Sequence, residues 1–241
     1  MSMNARLEQS SQLHAARMDR MYRMQRHFYD ATRVNYLLGR DQLIDGLAAS
    51  NGTRILEVGC GTGRNLVKAV KRYPQAAFFG LDISSEMLLS AKTSLQKIGA
   101  AGRVRLALGD AVDFNCLQVF GQPSFERIFF SYTLSMVPGW EEALANAYDQ
   151  LSSGGSLHIA DFGDCNGLPQ WFHYGLQRWL SLFHVTPRYT IDGALLRLAE
   201  RSGGCLCIAR PLRGYVVLAT LTKPAAASAS GKPTLTGDIP S

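Results

Sequence analysis

The 241-residue sequence has no apolar run approaching the roughly 18 to 20 residues that span a bilayer, which excludes a membrane-crossing helix. Its opening residues, MSMNARLEQSSQLHAARMDR, lack the apolar stretch of a secretory signal, so the expected location is cytoplasmic. Contact with lipid is then peripheral, at the inner face of the membrane. Cysteine is scarce: five residues (Cys60, Cys116, Cys165, Cys205 and Cys207), odd in number and without a C-x-x-C pair. That argues against a disulfide framework and a zinc site, and no metal is expected. Cys205 and Cys207 alternate within an apolar segment as strand residues do, and both are expected to be buried thiols. Acidic residues are also in deficit, 19 against 25 Lys and Arg, for a formal charge of +6. Part of this excess is concentrated between Arg17 and Arg40, where six arginines face only Asp19 and Asp30.

What the chain does have is a recurrence of short apolar runs: Arg54–Val58, Phe78–Asp82, Val104–Leu108, Arg127–Ser131, Ser156–Ala160, Cys205–Ala209 and Tyr215–Leu221. These are seven expected strands. Helical spacing over Arg64–Tyr73, Ser84–Ile98 and Glu141–Leu151 makes the early chain β-α-β-α, hence a doubly wound α/β fold on a mostly parallel sheet. A further helix is expected at Asp192–Ser202. The last two strands are separated only by Pro211–Gly214, too short for a parallel crossover, so they form an antiparallel hairpin. The domain reading is a helical N-terminal lid over residues 1–49, a core over 50–223 with an insert at 161–190, and a tail over 224–241. The tail has too little apolar surface to offset its ordering entropy and is expected to be disordered.

Ile55-Leu-Glu-Val-Gly-Cys-Gly-Thr-Gly63 places a strand directly before a glycine loop and a helix. Gly59, Gly61 and Gly63 let the backbone turn sharply and leave room for a ligand against the main chain. A dinucleotide fingerprint wants a small residue at position 64, where Arg64 stands. A phosphate-cradling loop wants G-K-[ST] after the glycines, and none follows. Asp82 ends the second strand, where a carboxylate accepts both hydroxyls of a ribose. Asp110 closes the third strand in Leu108-Gly-Asp-Ala111, with its carboxylate suited to an adenine amino group and the Ala111 amide to the ring. An adenosine-bearing cofactor is implied.

E-x-G-x-G-x-G, an acidic residue ending strand two and G-D at strand three resemble the class I S-adenosyl-L-methionine (SAM)-dependent methyltransferases, over about Ile55 to Thr222. The resemblance implies a Rossmann-like fold, methyl transfer and SAM as cofactor. It assigns Glu57 to the loop and the methionine amine, Asp82 to ribose, Asp110 and Ala111 to adenine, and Ile83 and Met87 to the adenine pocket. Gly59, Cys60, Gly61, Gly63 and Ser131 complete the expected cofactor contacts.

The acceptor is read from other segments. Strand four runs into Phe129-Phe-Ser-Tyr-Thr-Leu-Ser-Met136, which resembles neither the [DN]-P-P-[YFW] of nucleobase amine methyltransferases nor the carboxylate cluster of metal-dependent catechol enzymes. No nucleic-acid partner is expected. From Arg17 to Arg26 an arginine recurs every three residues among Met18, Met21, Tyr22 and Met24. This is either a basic helix lying on an anionic lipid surface or a lid whose arginines are merely solvated. HFYDATR from His27, YLLGRD from Tyr36 and WLSLFHVTPR from Trp179 to Arg188 resemble the bacterial betaine-lipid N-methyltransferases, which trimethylate diacylglycerylhomoserine. By that resemblance Tyr29 closes over the sulfonium and Arg40 meets the cofactor carboxylate.

Methyl transfer to an amine needs alignment of the two centres and desolvation of a group whose pKa is about 10 by analogy with lysine. The product is a fixed cation, which aromatic faces hold by roughly 0.5 to 2 kcal/mol per contact. Tyr22, Tyr29, Tyr132, Trp171 and Tyr174 are the candidate rings. LPQWFHYGLQRWLSLFH, Leu168 to His184, is too aromatic for a solvated loop. It either covers acyl chains and headgroup or packs on the N-terminal helices. His173 and His184 either accept the amine proton or serve as packing residues, and Arg188 either clamps a substrate carboxylate or caps the insert. Tyr29, Tyr132 and His184 are the expected catalytic residues, with Tyr22, Tyr132, Trp171, His173, Tyr174 and Arg188 on the substrate. Phosphatidylethanolamine N-methylation, quinone-precursor C-methylation and a SAM-binding regulatory module are the alternatives.

Overall fold

The computed structural model describes residues 37–183 and 185–225. Tyr22, Tyr29, the Arg17–Arg26 segment, His184 and residues 226–241 of the tail lie outside the described residues. The described strands are β1 Arg54–Val58, β2 Ala77–Asp82, β3 Val104–Leu108, β4 Phe125–Ser131, β5 Leu151–Phe162, β6 Cys205–Ala209 and β7 Val216–Thr222. They form one sheet in the order β3-β2-β1-β4-β5-β7-β6. β1 to β5 run parallel, and β7 is antiparallel to both β5 and β6. This is the expected doubly wound α/β sheet with its terminal hairpin. The helices of five or more residues are α1 Arg40–Gly46, α2 Arg64–Arg72, α3 Ser85–Lys97, α4 Cys116–Phe120, α5 Trp140–Asp149, α6 Gln170–Ser181 and α7 Ile191–Ser202.

The central strands are apolar on both faces because helices cover both. Along β1, Leu56 and Val58 enter one core with Ile128 and Phe130 of β4, whereas Ile55 enters the other with Phe129. Period-two alternation therefore puts Glu57 on the Ile55 side, which α1 and α2 cover. α2 buries Leu66, Ala69 and Val70, and α3 buries Met87, Ala91 and Leu95, both at helical spacing. Ser84 caps α3 by accepting from the Met87 amide at 3.3 Å, and Asn115 caps α4 through the Leu117 and Gln118 amides. A third cluster joins Leu37, Tyr132, Phe162, Leu180 and Tyr215, with Phe172, Leu176 and Trp179 of α6 against it.

Three local expectations change. β5 is longer than expected, so Asp161 and Phe162 belong to the sheet and the insert begins after them. α4 and α6 were not read from the sequence as separate helices. Cys205 and Cys207 keep the expected alternation but are exposed rather than buried. β6 is the outermost strand of the sheet, and only the face carrying Leu206 and Ile208 meets the core.

Candidate active site

The chain leaves β1 at the centre of the sheet, travels outward through β2 and β3, and returns to the other side of β1 as β4. That reversal opens a crevice at the carboxyl ends of β1 and β4, where ligands of open α/β sheets bind. The glycine loop turns there. The amides of Gly59 and Cys60 donate to the Leu81 carbonyl at 2.8 and 2.9 Å, fastening the loop to β2. Gly59 has φ +72°, and a Cβ there would stand 2.3 Å from Thr133 Cγ2, so no side chain fits. A Cβ on Gly63 would stand 2.9 Å from that of Ala91, so this glycine permits α2 to approach α3. Gly61 is different: it has nothing within 4 Å of its Cβ position, and its backbone borders open space.

A cavity of about 410 Å³ lies beside the loop and gathers Arg40, Glu57, Gly59, Cys60, Gly61 and Ser131 among the expected residues. Glu57 is only 1% exposed, and its Oε1 accepts from Asn65 Nδ2 at 2.7 Å. Among the described residues its Oε2 has no hydrogen-bond partner, and neither has the buried Ser131 Oγ. Buried polar atoms are nearly always paired, so two unpaired ones lining a single cavity mark where a polar ligand sits. A carboxylate oxygen that seeks N–H donors and a guanidinium at Arg40 together match the zwitterionic amino-acid end of SAM. Burial pushes the Glu57 carboxyl up to about 8; the Asn65 hydrogen bond opposes this, Asp82 adds to it and Arg40 opposes it. Burial also holds the Cys60 thiol well above its ordinary pKa, making it a packing group rather than a nucleophile.

Asp82, Ile83, Asp110 and Ala111 stand on the same edge, at the ends of the adjacent β2 and β3. The Asp82 carboxylate accepts from the Gly61 amide at 2.7 Å and the Ser84 amide at 3.0 Å, joining glycine loop and α3 in one hydrogen-bonded unit. Asp110 Oδ1 accepts from the Val112 amide at 3.1 Å. Met87 is buried in the first turn of α3.

The expected substrate residues stand in differing surroundings. Tyr132 is buried with φ +56°, donates its hydroxyl to the Leu38 carbonyl at 2.6 Å, and packs edge-on to Phe162 at 4.7 Å. Burial raises its phenol pKa, so it braces the segment after β4 instead of presenting a base or an open ring. Arg188 donates from Nε to the Leu134 carbonyl at 3.1 Å and from Nη2 to that of Val137 at 2.9 Å. Its guanidinium ties the insert to the same segment, leaving no clear bidentate face for a substrate carboxylate. Trp171 and Tyr174 are 74% and 69% exposed on the outer side of α6, and His173 Nε2 lies 3.4 Å from the Tyr189 hydroxyl. Trp179, by contrast, packs on Phe183 with centroids 5.1 Å apart.

Asn65 and Leu37 were missed as site residues, although both line the cavity. Asn65 had a usable signal: it stands in the first turn of α2, whose N-terminal end must face back over β1. Leu37 had none, because its place follows from how the chain enters the third cluster.

Residues 55–155 match the methyltransferase domain family model. The ubiquinone/menaquinone biosynthesis C-methyltransferase UbiE of Dinoroseobacter shibae is 31% identical over 150 residues, covering 61% of this chain and 56% of that protein. The chain thus spans about half the length of the curated relatives it matches. An O-methyltransferase family protein from Burkholderia thailandensis has a similar fold, with TM-score 0.63, 16% identity, and coverage of 82% of this chain and 60% of that one. Phosphoethanolamine N-methyltransferase 2 of Haemonchus contortus, solved with SAM, gives TM-score 0.60 at 16% identity, covering 77% and 52% of the two chains. With the glycine loop and the acidic ends of β2 and β3, these likenesses show a Rossmann-like methyltransferase fold, with the methyltransferase-domain match confined to residues 55–155.

Proposed function

We propose that this protein is a SAM-dependent N-methyltransferase acting on the amine headgroup of a membrane lipid, with diacylglycerylhomoserine as acceptor and the trimethylated betaine lipid as product. The observation that carries the reading is the two-sided character of α6. Its inner residues Phe172, Leu176 and Trp179 join the cluster that contains Leu37, which also lines the cavity. Its outer side presents Trp171, Tyr174, Arg178 and, just past its end, Leu182, at helical spacing. Trp and Tyr rings with an interleaved cation suit the boundary between lipid headgroups and acyl chains.

Bound in the crevice, SAM supplies an electrophilic methyl group on a sulfonium. The chain's part is positioning: Glu57 and Arg40, which line the cavity, would hold the amino-acid end, and Asp82 and Asp110, at the ends of β2 and β3, the adenosine end. Peripheral attachment to an anionic membrane, through the Arg17–Arg26 segment together with α6, belongs to the same proposal.

A second reading is C-methylation of a quinone precursor, favoured by the UbiE relatives. Such an acceptor is also lipid-soluble and would use the same stripe. Purified protein, SAM and either diacylglycerylhomoserine or a demethylated quinone precursor, followed by mass spectrometry, separates the two. One to three methyl groups on the homoserine lipid are expected. Methylation of the quinone precursor alone supports the second reading, and modification of neither rejects both.

A further inference from the structure

Glu57 is a carboxyl group with its two oxygens in different circumstances. Oε1 is committed to Asn65, and Oε2, buried in a side chain that lines the cavity, has no hydrogen-bond partner among the described residues. Because the Asn65 amide nitrogen is a donor, Oε1 must be the accepting oxygen, and any proton on Glu57 sits on Oε2. The ionisable groups around it come from each neighbouring element: Arg40 from α1, Asp82 from the end of β2, Cys60 from the glycine loop, Arg64 from α2 and Lys97 from α3.

We propose that Asn65 is a positioning residue that keeps Glu57 Oε2 turned to the cavity, and that SAM binding expels the proton carried on that oxygen. The inference rests on the cavity being the seat of the cofactor's amino-acid end. The exchange is balanced. The Oε2–H bond breaks, its proton passes to buffer, and the freed carboxylate oxygen accepts an N–H of the cofactor's α-ammonium. The proton leaves and the ligand's positive charge takes its place, so the buried carboxylate is never left uncompensated. The α-amino group of a peptide titrates at about 7.7 to 8.0, and at pH 6.5 an α-ammonium of this kind arrives protonated, so the net release is about one proton. With Glu57 pushed up to about 8 by burial, the apparent affinity rises about tenfold per pH unit from 6 to 7 and levels off near 8.

Isothermal titration of the full chain with SAM at pH 6.5, in two buffers of different ionisation enthalpy, counts the proton directly. About one proton released is expected from the wild type and close to none from Glu57→Gln, which binds at least about tenfold more weakly because its amide turns donors toward an ammonium. Asn65→Leu should also weaken binding about tenfold and move the levelling-off of the affinity profile to higher pH, since the lost hydrogen bond favoured the carboxylate. A residue that merely stabilised α2 would leave that profile in place. SAM binding by the wild type without proton release overturns the coupling while sparing the cofactor site; undiminished release by Glu57→Gln does the same. An unmoved profile in Asn65→Leu removes the positioning role. Absence of any SAM binding removes the cofactor reading and this inference together.

Discussion

Position 59 is where the backbone and the cofactor site constrain each other most tightly. Its φ of +72° is a conformation that costs an L-residue about 1 to 2 kcal/mol, and Thr133 already occupies the Cβ position. Thr133 is itself held: its hydroxyl donates to the Val58 carbonyl at 3.2 Å. Gly59→Ala is therefore expected to lower SAM affinity by at least about tenfold and to reduce the melting temperature. Adding Thr133→Ala removes Cγ2 and Oγ1, the two nearest colliding atoms, and should recover part of that loss. Calorimetry on the single and double variants checks this, and a Gly59→Ala protein with wild-type affinity would reject the steric account. At position 61, by contrast, no neighbour opposes a side chain, and the φ of +52° alone favours glycine.

Among the elements, α6 is the one whose two sides differ in purpose. The inner side is accounted for by packing, including Trp179 on Phe183 and Phe172 against Tyr215. The outer side leaves Trp171, Tyr174 and Leu182 in water, an arrangement that folding alone does not favour. Replacing all three by serine should cut co-sedimentation with anionic vesicles at least about fivefold. SAM affinity and melting temperature should be nearly unchanged, because exposed side chains with few contacts contribute little to stability. Unaltered sedimentation would show that the stripe does not meet a membrane. The segment after β4 plays the opposite part and is clamped from several sides. Asp161 accepts from the Ser135 amide at 3.2 Å, the Thr186 amide donates to the Ser135 carbonyl at 2.9 Å, and Arg188 spans two further carbonyls.

Across the whole molecule, buried ionisable groups tie stability to pH in opposing directions. His158 lies inside the sheet, with Nε2 2.8 Å from Ser156 Oγ, and burial with the nearby Arg127 lowers its pKa to about 4. As pH falls below the ordinary histidine value near 6.5, the unfolded chain gains a proton that the folded chain refuses until about 4, so stability is lost across that window. Asp161, pushed up to about 6 by burial, and Glu57, pushed up to about 8, act the other way, since here the folded chain holds protons that the unfolded chain releases. His158→Gln should therefore gain stability relative to wild type by roughly 3 kcal/mol as pH falls from about 6.5 to 4. Urea unfolding at several pH values measures this; a difference that stays constant with pH would reject the assignment.

Strand pattern, helix spacing, the terminal hairpin and the cofactor motif were legible in the sequence because each depends on residues close along the chain. Period-two alternation, a glycine loop directly after a strand, and a connection too short for a crossover are local facts. The bounds of β1, β3 and β6 needed no adjustment, while β5 did. What lies between distant segments was not legible. Tyr132 and Arg188 have the chemistry of site residues, yet tertiary packing spent them on the carbonyls of Leu38, Leu134 and Val137. Cys205 and Cys207 became exposed because no described element covers their face of β6, the outermost strand of the sheet. The two oxygens of Glu57 differ because Asn65 donates to one of them and no described residue donates to the other. Local spacing sets which elements form; which polar groups remain unsatisfied, and so where a ligand is held, depends on segments that meet only when the chain is folded.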